Sequence, residues 1–198
     1  QLAKDERLRS LSFQNVKVVP FLGTPGAIQS DSWNTTTYSN TLATKVGNLL
    51  HCASYNLSAP MYVEGTKEKE LIESIDEIAK VLHMAETADI ALIGIGSMQD
   101  DSSIIKAEIR TREEYKELVR KGAVGEIVGR IYDKNGQTVD EDLKRKMVGI
   151  SLDKIAKIPV RVGMSYGKDK IEAIKGAIAG GLVNVLVTDV PTAELLLK

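Results

Sequence analysis

Apolar residues recur along this chain in two rhythms: short runs that suit strands, and a spacing near 3.6 that suits helices. The two meet most clearly between Val160 and Asp189. Val160, Val162 and the apolar run before Gly163 predict a buried strand, and Gly163-Met164-Ser165-Tyr166-Gly167 lets the chain turn sharply. Ile171, Ile174 and Ile178, at i, i+3 and i+7, predict a helix with one face on a sheet, stopped by Gly180-Gly181. Leu182–Val187 is continuously apolar, the signature of a parallel strand covered on both faces, and Asp189 closes this βαβ unit.

The rest of the chain reads in the same way. Residues 1–13 suggest the tail of a helix or a connection. Val16–Phe21 predicts a short strand, ending in the turn Leu22-Gly23-Thr24-Pro25-Gly26. A polar stretch, Gln29–Tyr38, holds the only tryptophan, Trp33, which either folds over a pocket or pins its loop to the surface. Leu42, Val46, Leu49 and Leu50 mark a helix over 40–50, and Leu57–Val63 supplies a strand end. Ser74-Ile75-Asp76-Glu77 predicts a capping box before a helix with Ile75, Ile78, Ala79, Leu82 and Ala85 inside. Asp89–Gly96 is the strongest strand signal, and its glycines open the C-terminal end, where parallel sheets place ligands. The third glycine of a dinucleotide fingerprint is missing. Thr111-x-x-Glu114 predicts a second capping box, with Tyr115, Leu118 and Val119 on a helix that Gly122 ends. Asp133–Gly136 reads as a turn whose Asn135-Gly136 suits a type I′ hairpin. Met147–Ile150 is a short strand, and Leu152–Ile158 leads back to the βαβ unit.

Composition narrows the class. At 198 residues, with 43% hydrophobic and 27% charged, the chain suits one α/β domain with a substantial core. A net charge of −1 argues that this chain by itself is not a part that grips DNA. One cysteine, Cys52, fits a reducing, cytoplasmic setting. No run of about 18 apolar residues suits a membrane span, and no signal peptide precedes the first strand. A start at Gln1 rather than Met makes a fragment the expectation.

Candidate chemistry centres on Lys168 and Lys170. Cations at a helix start face the positive end of its dipole, a cost of about 0.3–1 kcal/mol unless an anion lies between them. A phosphate would supply that anion, cradled by backbone N–H groups, Gly167 and an ammonium; alternatively, both lysines are solvated and Asp169 offsets them. The Walker A order is missing. Glu126 stands among glycines and aliphatics; buried, it needs a partner such as sugar hydroxyls, and at an edge it faces water. An isomerase or lactonase acting on phosphosugars needs a positioned acid/base pair, and the two histidines, His51 and His83, fall in helical stretches remote in sequence from these residues. Neither a metal nor a cofactor is expected.

In order and spacing, several motifs resemble the effector-binding domain of the SorC family of bacterial sugar-responsive transcription regulators. They are Gly94-Ile95-Gly96; Gly122-Ala123-Val124-Gly125-Glu126 with Gly129 and Asp133…Gly136; Val148-Gly149-Ile150; Gly167-x-x-Lys170 with Ala173-Ile174; and Leu186-Val187-Thr188-Asp189 with Ala193. The resemblance covers nearly the whole chain and implies a single effector-binding domain over 1–198. Its fold would be α/β, a Rossmann-like, mostly parallel sheet flanked by helices, similar to the sugar-phosphate isomerases. It also implies a phosphorylated-sugar effector, a homo-oligomer (dimer or tetramer), and operator DNA bound through a separate N-terminal helix-turn-helix domain. That domain and the family's first phosphate loop are expected to lie outside this chain. Carried over by position, Lys170, Gly167 and the neighbouring Lys168 are expected phosphate contacts, Glu126 the holder of sugar hydroxyls, and Gly23 and Thr24 part of a second pocket wall. Bisphosphate binding in the family uses an Arg where this chain has Leu22, so a monophosphate or another small ligand is the expectation.

Overall fold

A computed structural model describes residues 13, 15–25, 38–99, 102–106 and 109–198. The chain opens with β1 (Lys17–Val18), α1 (Ser39–Leu50), β2 (Ala53–Ser54), α2 (Thr66–Glu73), α3 (Asp76–Glu86) and β3 (Ile90–Gly94). It continues through β4 (Gly96–Ser97), α4 (Ser103–Lys106), α5 (Arg112–Arg120), β5 (Ala123–Ile127), β6 (Arg130–Asp133) and α6 (Glu141–Lys146). Last come α7 (Leu152–Ile155), β7 (Val160–Met164), α8 (Ile171–Ala179), β8 (Val185–Val187) and α9 (Val190–Leu196). Strands pair in parallel as β1–β2 and as β3–β7–β8, and in antiparallel fashion as β4–β5–β6. The architecture is thus mixed α/β and mostly parallel, flanked by helices.

Alternation in β3 does what a strand requires: Ala91 and Ile93 point inward, 0% and 1% exposed. They join Ile95, Ile174, Ala177, Leu182 and Val183 in the first core, between the parallel strands and α8. Burying one such aliphatic side chain stabilises the fold by roughly 1.5–3 kcal/mol. A second core gathers Ile104, Tyr115, Leu118, Ile131, Leu143 and Met147, and a third sets α3 against Leu57, Val63 and Val148.

The expected βαβ unit is present, with three differences. Ile178 is 49% exposed; the buried stripe of α8 is Ala173, Ile174, Gly176 and Ala177, and its small members let the helix sit close to β5. Only Val185–Val187 forms strand, while Leu182 and Val183 are core residues leading into it. Among the described residues the sheet is covered on one face only: the register puts Ile90 beside Val160, Leu92 beside Val162, Val162 beside Val185, and Met164 beside Val187. Of these, Leu92 is 49% exposed and Val187 56%, and Ile90, Val160 and Val185 are exposed as well.

Other expectations divide in the same way. The Thr111 capping box forms with both reciprocal bonds. The Ser74 box does not: Ser74 ends α2, a helix the periodicity left unmarked, and donates its hydroxyl to the Leu71 carbonyl. In α1 the buried residues are Ala43 and Gly47, while Leu42 is exposed. Gly47 belongs there because a Cβ would stand 2.7 Å from that of Ser54. Asn135 lacks the positive φ that a type I′ turn needs; instead Asp133 Oδ1 accepts from the amides of Asn135 and Gln137. The two-residue turn with both φ positive joins β5 to β6 at Val128 (φ 50°) and Gly129 (φ 68°). Residues 1–12, the Trp33 loop and Gly26 lie outside the described residues.

Candidate ligand-binding site

After Met164 the chain leaves β7 through Ser165, Tyr166 and Gly167 and enters α8 by a 3-10 turn, Lys168–Lys170. Buried Ser165 donates its hydroxyl to the Ile95 carbonyl at 3.0 Å, tying this turn to the junction of β3 and β4. Gly167 has φ 106° and ψ 146°, a conformation open only to glycine. Its amide donates to buried Thr192 Oγ1 at 2.8 Å. Gly167 thus keeps a backbone without Cβ at this turn, while its own N–H is already taken by Thr192. Thr192 stands where it does because Asp189 caps α9 through the Thr192 amide.

The two lysines part. Lys168 is exposed. Lys170 turns inward, its side chain 26% exposed, and Nζ donates to Ser97 Oγ at 2.9 Å, with Asp169 Oδ2 at 3.5 Å.

Glu126 lies in the middle of β5 and is 8% exposed. Its carboxylate Oε2 accepts a 2.8 Å hydrogen bond from the hydroxyl of Ser102, itself 8% exposed. The same Ser102 oxygen accepts from the Ile104 amide at 3.1 Å, capping α4. Register places Glu126 opposite Gly96 and Gly125 opposite Ser97. Successive strand residues look to opposite faces, so Ser97 and Glu126 point to different sides of this ladder. Gly125 shows which side is which: a Cβ there would stand 2.9 Å from that of Ala173 in α8. Lys170 and Glu126 thus approach the two-residue strand β4 from its two faces. Among the described residues β4 pairs only with β5, and a molecule touching both groups would lie across its other edge.

Gly23 and Thr24 form packed wall. Gly23 donates its amide to the Val148 carbonyl at 3.1 Å, and a Cβ there would stand 2.5 Å from the Pro60 oxygen. Thr24 donates both its amide and its hydroxyl to the Ala59 carbonyl, at 2.9 and 3.3 Å.

Arg130, which the sequence did not single out, is 2% exposed. Its Nη2 donates to the carbonyls of Met147 (3.2 Å) and Gly149 (3.1 Å), while Nε and Nη1 find no partner among the described residues. Burial lowers its pKa to about 10, which leaves it charged near neutrality. It fastens the β5–β6 hairpin, and with it Glu126, to the extended Met147–Gly149 segment that pairs with Leu22 and Gly23. Ser97 and Ser102 were also passed over; a serine directly after the glycine-rich strand end was the available signal for Ser97. His51 ends α1 and His83 lies on α3, both exposed. An apolar concavity beside α3, lined by Tyr55, Ala79, Val81 and Met84, contains neither Lys170 nor Glu126. Among the described residues no helix is long and apolar enough to cross a membrane, and no acidic, His or Cys cluster suits a metal.

Residues 4–198 match the Sugar-bind family, described as "Putative sugar-binding domain". The transcriptional regulator LsrR of Escherichia coli K12 is 34% identical over 159 residues, 78% of this chain and 50% of that protein. The chain therefore spans about half the length of the curated relatives it matches. The full-length sorbitol operon regulator SorC from Klebsiella pneumoniae superposes with a TM-score of 0.84 at 30% identity, over 96% of this chain and 60% of that one. A DeoR family transcriptional regulator from Listeria monocytogenes shares the fold, with a TM-score of 0.83 at 24% identity over 98% of this chain and 81% of that one. These relatives and neighbours are transcription regulators, not enzymes. With the sugar-binding model matched from residue 4 to the last, the chain belongs to the sugar-binding domain family of SorC-type transcription regulators.

Proposed function

We propose that this domain senses a phosphorylated sugar on behalf of a DNA-binding transcription regulator. The observation that carries the reading is Lys170, held by buried Ser97 at the start of α8, one ladder rung from buried Glu126. A phosphate at Lys170 would also meet the amides of the first turn, which a helix start leaves without partners of its own. Glu126, an acceptor when ionised, takes the sugar hydroxyls across the edge of β4. Leu22 offers no bidentate clamp for a second phosphate, so the ligand is a monophosphate. Gly23 and Thr24 shape the far wall, and exposed Lys168 adds long-range attraction for an anion.

In the regulator, a cytoplasmic homo-oligomer (dimer or tetramer), the effector binds one arrangement of subunits better than another. That difference changes how a separate N-terminal domain meets operator DNA. The test is a thermal unfolding titration with sugar monophosphates and their unphosphorylated parents. A ligand at 100 times its Kd adds about 2.7 kcal/mol, a rise in Tm of roughly 5–10 °C, and Lys170→Met removes it. A chain that no sugar monophosphate stabilises would overturn the proposal.

A further inference from the structure

Ser102 lies outside every motif that pointed to the site, yet its one hydroxyl joins two things. Its proton goes to Glu126 Oε2 at 2.8 Å and its lone pair accepts the Ile104 amide at 3.1 Å. Both Ser102 and Glu126 are 8% exposed, so water competes poorly for either bond, and a hydrogen bond to a charged acceptor is the stronger kind. Ile104, two residues on, is 1% exposed and packs in the second core with Tyr115, Leu118 and Met147. The carboxylate is therefore attached through the Ser102 oxygen to the start of α4, and through α4 to the second core, which is not the one α8 packs in.

We propose that Ser102 is the positioning residue of the acidic end of the site. It aims the Glu126 carboxylate, and it passes any pull that a ligand exerts on Glu126 to the cap of α4. The inference rests on the sugar phosphate reading for what Glu126 binds, but not for the link between Glu126 and α4. Ser102 touches no ligand itself. Because Lys170 and Glu126 occupy opposite faces of the β4–β5 ladder, damage at Ser102 leaves the phosphate end intact.

The chain is tested as wild type, Ser102→Ala, Ser102→Thr and Glu126→Ala. One measurement is binding of inorganic phosphate and of glucose 6-phosphate, fructose 6-phosphate and ribose 5-phosphate. The other is hydrogen exchange at the Ile104 amide without ligand. Ser102→Ala is expected to weaken the best sugar phosphate about tenfold with inorganic phosphate unchanged, and Ser102→Thr to restore it. Without ligand, Ser102→Ala and Glu126→Ala both speed exchange at Ile104, and Ser102→Thr does not. Equal affinity of wild type and Ser102→Ala for the sugar phosphate, or equal loss of phosphate and sugar phosphate, overturns the positioning role. Wild-type exchange at Ile104 in Glu126→Ala overturns the link to α4. If wild type binds none of the three sugars, the functional reading fails for them, and the exchange result alone decides for or against Ser102.

Discussion

Gly125→Ala tests how closely α8 is held against β5, and so how firmly Lys170 is placed. A Cβ at Gly125 would stand 2.4 Å from the Tyr132 hydroxyl oxygen, 2.5 Å from Tyr132 Cζ and 2.9 Å from the Ala173 Cβ. Tyr132 is 0% exposed and donates that hydroxyl to the Ala173 carbonyl at 2.9 Å, so the ring cannot withdraw without breaking a buried bond. Overpacking of this kind costs about 1–3 kcal/mol, and the lost hydrogen bond about 1 more. The sum, roughly 3 kcal/mol, is a large share of a domain's total of about 5–15 kcal/mol and lowers Tm by roughly 6–12 °C. Guanidinium unfolding followed by far-ultraviolet circular dichroism measures it. In a Tyr132→Ala background the two tightest contacts are gone and that with Ala173 stays, so Gly125→Ala should cost about 1 kcal/mol, a coupling of about 2 kcal/mol. A single variant within 0.5 kcal/mol of wild type, or a cycle that adds without coupling, would refute the assigned packing.

Three further outcomes are expected. Thr111→Ala removes the α5 cap and lowers stability by about 1 kcal/mol in the same unfolding assay. The backbone and hydroxyl bonds from Thr111 hold the Glu114 carboxyl below its ordinary range. Its contribution is therefore present above the unfolded carboxylate pKa and lost as pH falls through the folded one, so the gap between wild type and Glu114→Gln should narrow from pH 6 toward pH 3. Within β3, Ile93→Ala should cost about 3 kcal/mol and Leu92→Ala under about 1, because one side chain is 1% exposed and the other 49%.

Where periodicity and end signals agreed, the sequence was legible. The Thr111 cap stands as read, and the strand signal in Asp89–Gly96 and the strand, helix and strand after Val160 fall where they were read, although β3 stops at Gly94 and the last strand keeps only Val185–Val187. Failures came where a local signal met tertiary packing. Ser74 satisfies the spacing of a cap, but α2 runs up to it and takes its hydroxyl. Leu42 and Ile178 are large apolar residues left on the exposed side of their helices, where close approach to a neighbour favours Ala43 and Gly47 in α1 and Ala173 and Ala177, beside Ile174, in α8. Val128 carries none of the usual turn chemistry, and only the pairing of β5 with β6 places it at positive φ. At the site, residue types pointed to Lys170 and Glu126, but they could not show that the two stand on opposite faces. Nor could they show which hydroxyls hold them, since Ser97 and Ser102 act through contacts distant in sequence from their partners.

Among the described residues, the outward side chains Ile90, Leu92, Val160, Val185 and Val187 make an uncharged, aliphatic sheet surface. Water over such hydrocarbon carries a free-energy penalty of about 25 cal/mol for each Å². With a net charge of −1, the molecule has little long-range repulsion to hold copies apart in concentrated solution. Colloidal behaviour should therefore be governed by these aliphatic side chains rather than by the ligand groups. One lysine in place of Leu92 ought to raise the solubility limit while the far-ultraviolet spectrum stays that of the native protein.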